Sequence, residues 1–128
     1  MVTVQIEVDI YPTEDEERVS EAVKNIFPHI ILSYERLGNY GRIKGIGEGR
    51  DILETLRMLI RSRRIRSAAR AFLKKHRIEK RLEFLLNKHA ASVGKVSFCE
   101  SESETPLGAI KVIIEDDEMD NLIRWLTE

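Results

Sequence analysis

A single cysteine, Cys99, leaves no partner for an internal disulfide. It reads as a small buried hydrophobe. A nucleophile would need a base beside it, and the local sequence supplies none. No apolar run approaches the roughly 20 residues that a membrane helix needs. The opening MVTVQIEVDI has no basic stretch leading into an apolar one, so no secretory signal is read. A cytoplasmic location without membrane contact is expected. His29, His76 and His89 show no metal-ligand spacing with one another or with Cys99, and neither metal nor other cofactor is expected. Gln5 is the lone glutamine beside 34% charged residues, a balance of the kind met in thermophilic proteins. What is present suits a folded chain. Hydrophobic residues make up 42% of 128 residues, enough for one domain, 1–128, with a core of its own.

Net charge is only −1, yet positive charge is concentrated. From Arg50 to Lys88 stand thirteen Arg or Lys against four Asp or Glu. The densest part, RSRRIRSAARAFLKKHR (Arg61 to Arg77), holds eight basic residues and no acidic one. Such segregation creates a local positive field on a protein without a basic average.

Val2, Val4, Ile6, Val8 and Ile10 alternate with polar residues, a strand with one buried face. Pro12 ends it. Thr13 and Glu16 have capping-box spacing, and the apolar stripe through Phe27 predicts a helix from Thr13 to Phe27. Ile30 to Leu37 and Arg42 to Gly47 flank Gly38, Asn39 and Gly41, which predicts a hairpin. Gly45, Gly47 and Gly49 lack the Gly-Lys-Ser/Thr of a Walker loop, so they read as a strand end entering a helix. Ile52 to Ile60 and Ile65 to Leu73 trace two helical stripes, with a break near Ser62. Leu82 to Leu86 fits either helix or strand. Lys95 to Glu100 alternates weakly, Thr105, Pro106 and Gly108 suggest a turn, and Ala109 to Glu115 is a strand. Asp116 and Asp117 offer caps for a last helix, which Trp125 anchors to the core or presents at a dimer seam. Strand runs between helices predict an α+β domain: one mixed or antiparallel sheet with helices packed on a face.

Four stretches carry a family resemblance: IYPTEDEERVSEAVKNIF (Ile10 to Phe27), RRIRSAAR (Arg63 to Arg70), NKHAASVGKVSF (Asn87 to Phe98) and ETPLGAIKVIIE (Glu104 to Glu115). They resemble, in order, the motifs of an uncharacterised archaeal family grouped with an RNA-binding domain. One departure is His89, where the family pattern has glutamine. The resemblance implies a fold similar to that of large-subunit ribosomal protein number five, and strand at Leu82 to Leu86. It further implies RNA as a partner and a homodimer, and some relatives look joined to a nucleotide-kinase-like domain, which implies a protein partner of that kind instead. It brings no catalytic residues.

The basic segment is the main candidate site. Arg57, Arg61 and Arg64 share one helical spacing; Arg66, Arg70, Lys74 and Arg77 share another. Arginine suits bidentate phosphate contact. The expectation is a non-catalytic protein that binds structured RNA through Arg61, Arg63, Arg64, Arg66, Arg70, Lys74, Lys75 and Arg77. Asn87 and Lys88 would add a phosphate contact at a short helix start, or Asn87 would merely cap it. The competing reading is an interaction module whose arginines meet carboxylates, within the chain or on a partner. Single-strand stacking is not indicated, because Phe72 falls on the apolar stripe. Glu100, Glu102 and Glu104 read as solvated carboxylates.

Overall fold

The computed structural model describes residues 1–101 and 108–128. The expected Thr105–Pro106 turn and Glu102 and Glu104 lie outside the described residues. In chain order the elements are β1 (Thr3–Ile10), α1 (Glu16–Ile26), β2 (Ile31–Leu37), β3 (Tyr40–Glu48), a 3-10 turn (Arg50–Leu53), α2 (Glu54–Ser62) and α3 (Arg66–Lys75). There follow β4 (Arg77–Ile78), β5 (Arg81–Asn87), α4 (Lys88–Ser92), β6 (Phe98–Cys99), β7 (Ala109–Glu115) and α5 (Met119–Leu126). The strands make one antiparallel sheet in the order β2-β3-β1-β7-β5-β4, with β6 also on β5. The α+β expectation holds. No helix among the described residues is long and apolar enough to cross a membrane.

The period-two pattern of β1 explains the layering. Val4, Ile6, Val8 and Ile10 are buried while Gln5 is exposed, so one sheet face carries the core. Helices cover it with apolar stripes: Val19, Ala22, Val23 and Ile26 of α1, Leu56 and Ile60 of α2, Ala69 and Leu73 of α3, and Leu122, Ile123 and Leu126 of α5. Each large side chain so buried contributes about 1.5–3 kcal/mol relative to exposure. The other face is open and laced by ion pairs, Arg42 to Asp9 at 2.8 Å and Lys111 to Glu83 at 3.0 Å among them.

Several boundaries differ from the sequence reading, each for a local reason. Helix α1 begins at Glu16, and its cap is Asp15, whose Oδ1 accepts the Glu17 amide at 3.0 Å; Thr13 lies outside. Glu118, without a side-chain bond, holds the cap position of α5, because the Asp116 amide donates to the Lys80 carbonyl and Asp117 pairs with Lys80 at 3.4 Å. The weak strand near Lys95 shortens to Phe98–Cys99. Leu82 to Leu86 is strand, inside β5. Gly45 and Gly47 lie within β3, and a Cβ on Gly47 would meet Ile52 at 2.8 Å. Close packing, not a loop around phosphate, accounts for that glycine.

Candidate nucleic-acid interface

The basic segment does not form one stripe. It bends sharply between α2 and α3, and the bend is a Schellman motif. The Arg64 amide donates to the Arg61 carbonyl at 3.1 Å and the Ile65 amide to the Ile60 carbonyl at 3.3 Å. Ile65 packs against the core behind them. The motif demands a left-handed residue at its turn, and Arg64 has φ 57. The end of α4 repeats the hydrogen bonding: Gly94 amide to Ala91 carbonyl at 3.0 Å, Lys95 amide to Ala90 carbonyl at 2.9 Å. There the left-handed residue is Gly94, φ 74. One chain thus builds the same turn twice, once with the favoured glycine and once with an arginine.

Around the bend, Arg63, Arg64 and Arg66 are exposed, as is Lys74 about two turns further along α3. Among the described residues no hydrogen bond or ion pair engages these four side chains. Helix α3 opens beside them with no side-chain cap and no acidic residue in its first turn. Its first amides carry the positive end of the helix dipole, and no side chain of the first turn offsets it.

The other predicted basic residues are engaged. Three arginines close the C-terminal end of α5. Arg57 Nε donates to the Trp125 carbonyl at 2.9 Å, Arg61 reaches the Glu128 carbonyl at 3.3 Å, and Arg70 donates to the Thr127 carbonyl at 3.2 Å and its Oγ1 at 2.9 Å. Cations there satisfy orphan carbonyls and oppose the helix dipole. The Arg50 and Arg57 guanidiniums also lie 5.2 and 5.1 Å from the Trp125 ring centre, within cation–π range. Trp125 is thereby anchored by arginines as well as by core contacts. Lys75 pairs with Glu100 at 3.2 Å, and that hydrogen bond holds the Glu100 carboxyl below its ordinary pKa. Arg77 pairs with Asp120 and donates to the Glu79 carbonyl at 2.7 Å. It sits on β4, so the expected helical continuity from Arg66 through Arg77 does not exist, nor does that of Arg57, Arg61 and Arg64, since Arg64 lies in the bend.

Asn87 and Lys88 stand far from the bend. Asn87 caps α4, its Oδ1 accepting the Ala90 amide at 2.8 Å. Lys88 is buried and donates to the Asp9 carbonyl at 2.7 Å and to Glu14 at 3.0 Å, 5.3 Å from the Tyr11 ring centre. Asn87→Ala is expected to lower stability by about 1 kcal/mol, the usual worth of such a cap, with RNA affinity unchanged. Denaturation and RNA titration of one preparation check both halves.

Sequence reasoning missed the left-handed turn of the bend because the usual glycine signal is absent. The helix break near Ser62 was legible; the left-handed arginine that makes it was not. The engaged arginines were invisible for a different reason, since Arg61 and Arg70 bond to residues 67 and 57 positions away.

A family model described as RNA binding matches residues 3–115. A UPF0201 protein of Sulfurisphaera tokodaii is 42% identical over 99% of this chain and 88% of its own length. A UPF0201 protein of Methanothermobacter thermautotrophicus is 39% identical over 98% and 91%. The crystal structure of a UPF0201 protein from Methanococcus jannaschii superposes with a TM-score of 0.86 at 35% identity, covering 98% of this chain and 92% of that one. With a shared sequence, a shared fold and an RNA-binding family model across most of its length, the chain belongs to the archaeal UPF0201 family.

Proposed function

We propose that the protein binds structured RNA non-catalytically, through phosphate contacts at the α2–α3 bend. The carrying observation is Arg64. A left-handed non-glycine residue costs about 1–2 kcal/mol, and outliers retained against such a cost point to function. Arg63 and Arg66 supply neighbouring charge, Lys74 adds to the field from further along α3, and the uncapped start of α3 supplies amides for a phosphate oxygen. Arg61, Arg70, Lys75 and Arg77 hold the supporting structure and add to the positive field. Recognition by shape and phosphate, not by stacking, suits a surface without exposed aromatics at the bend. An accessory cytoplasmic role, on the ribosome or in RNA maturation, fits the resemblance to large-subunit ribosomal protein number five.

Fluorescence anisotropy with a labelled RNA hairpin across a salt series tests this reading. Affinity should fall steeply with salt. Arg63→Glu/Arg66→Glu should weaken binding at least tenfold and reduce the log–log slope by about 2, roughly one per lost phosphate contact. Arg64→Gly should weaken binding while raising stability by about 1 kcal/mol, because glycine relieves the left-handed backbone. Binding indifferent to all three changes would reject the site. The alternative is an interaction module docking on a protein such as a nucleotide-kinase-like enzyme. It predicts negligible RNA affinity and loss of a protein complex in the same variants.

A further inference from the structure

A cavity of about 480 Å³ opens between α1 and α4. Ties at both ends of these helices keep it open. Near the end of α1, Asn25 Nδ2 donates to the Ala91 and Ser92 carbonyls at 3.0 and 3.4 Å. At the start of α4, Lys88 Nζ donates at 3.0 Å to Glu14, which stands just before α1. Between the ties, the buried apolar side chains on the cavity wall are Val19 and Ala22, which are too short to fill the gap. Small residues between fixed points make the space preformed. Its volume lies within the range of small-molecule sites, about 300–1,000 Å³.

The charges around this cavity are unequally engaged. Glu14 is neutralised by Lys88, and Asp15 caps α1, its Oδ1 accepting the Glu17 amide at 3.0 Å. Arg18 and His89 stand exposed on the rim. Among the described residues no hydrogen bond or ion pair engages either side chain. We infer that the α1–α4 cavity binds a small organic monoanion. Its apolar body rests on Val19 and Ala22, its carboxylate meets the Arg18 guanidinium, and the His89 imidazole is a second donor. Both halves of the ligand follow from the wall. Burying an apolar body against Val19 and Ala22 removes surface from water, and the planar fork of a guanidinium matches a carboxylate. A monoanion is favoured over a dianion such as a phosphate monoester. Glu14 and Asp15 line the same cavity, and a second negative charge would meet theirs at short range. The inference is independent of RNA binding at the α2–α3 bend, with which the cavity shares no residue.

The test is amide chemical-shift mapping of the isotope-labelled full chain with naphthylacetate as the probe. Saturable shifts should group on Arg18 to Ala22 and His89 to Ser92, with a Kd of about 1 mM or below, the range open to a ligand of about fourteen non-hydrogen atoms. Naphthylethanol, which lacks the charge, should bind roughly tenfold more weakly. Acetate, which lacks the apolar body, should shift nothing there. Arg18→Ala should weaken naphthylacetate roughly tenfold and leave naphthylethanol unchanged. Ser92→Leu adds an isobutyl group to the cavity wall and should abolish binding of both. Arg18 and Ser92 are exposed, so each variant should keep the wild-type circular dichroism spectrum. Should Ser92→Leu misfold, Arg18→Ala decides alone. Arg63→Glu/Arg66→Glu should bind naphthylacetate as the wild type does, which separates failure here from failure of the RNA site. An absence of saturable shifts up to about 10 mM, an alcohol bound as tightly as the acid, shifts centred elsewhere, or an Arg18→Ala protein that binds the acid like the wild type would overturn the inference.

Discussion

Lys88→Ala is expected to destabilise the protein by about 3–5 kcal/mol, the usual cost of removing one member of a buried ion pair. The side chains of Lys88 and Glu14 are only 9% and 10% exposed. Glu14 also accepts the Tyr11 amide at 2.9 Å, and Lys88 holds the Asp9 carbonyl. The pair therefore ties the end of β1 and the entry to α1 onto the start of α4. Alanine strips the cation from a carboxylate that has little access to water, and leaves a carbonyl without its donor. Chemical denaturation should show the loss as a lower midpoint with an unchanged slope. Lys88→Met with Glu14→Leu should recover much of it, because apolar replacement of both partners removes the desolvation cost as well as the attraction. RNA affinity, measured where both proteins are folded, should not move. A stable Lys88→Ala protein with weakened RNA binding would instead return Lys88 to the interface.

Arg70→Ala comes next in size, at about 2 kcal/mol. A hydrogen bond from a charged donor contributes roughly 1.5–3 kcal/mol, and a buried acceptor left alone costs a similar amount. Arg70 serves both the carbonyl and the hydroxyl of Thr127, a residue 1% exposed. Thr127 Oγ1 donates in turn to the Ile123 carbonyl at 2.7 Å, so the loss reaches the last turn of α5. Arg70→Lys should restore little, since one ammonium does not reproduce the fork that meets two acceptors. Thermal or denaturant unfolding checks the stability. RNA titration should show a smaller loss than Arg63→Glu/Arg66→Glu, because Arg70 contributes field but not direct contact.

These two residues mark where reading the sequence ran out. Arg61, Arg70 and Lys88 look like their free neighbours in composition and spacing. What separates them is a partner 57 to 74 positions distant, and no local pattern reports such a partner. The opposite holds for β1, the β2–β3 hairpin and β7. Their signals lie within a few residues: a period of two, a glycine turn, a run of β-branched side chains. Helix ends fall between these cases. Thr13 has correct capping-box spacing, but Asp15 also accepts an amide and stands nearer the apolar stripe. Equal chemistry two residues apart cannot be ranked without the chain's path.

By itself, then, the sequence determined the α+β class of the fold and that positive charge would gather on the segment from Arg50 to Lys88. Both follow from periodicity and composition, which are properties of neighbours. Tertiary structure alone decided which of those charges stay free. It placed the α5 carbonyls against Arg57, Arg61 and Arg70 and Glu14 against Lys88, and it turned the chain at Arg64 so that Arg63, Arg64 and Arg66 face outward. A charge is available to a partner only when folding brings it no acceptor, and acceptors are distributed by the fold.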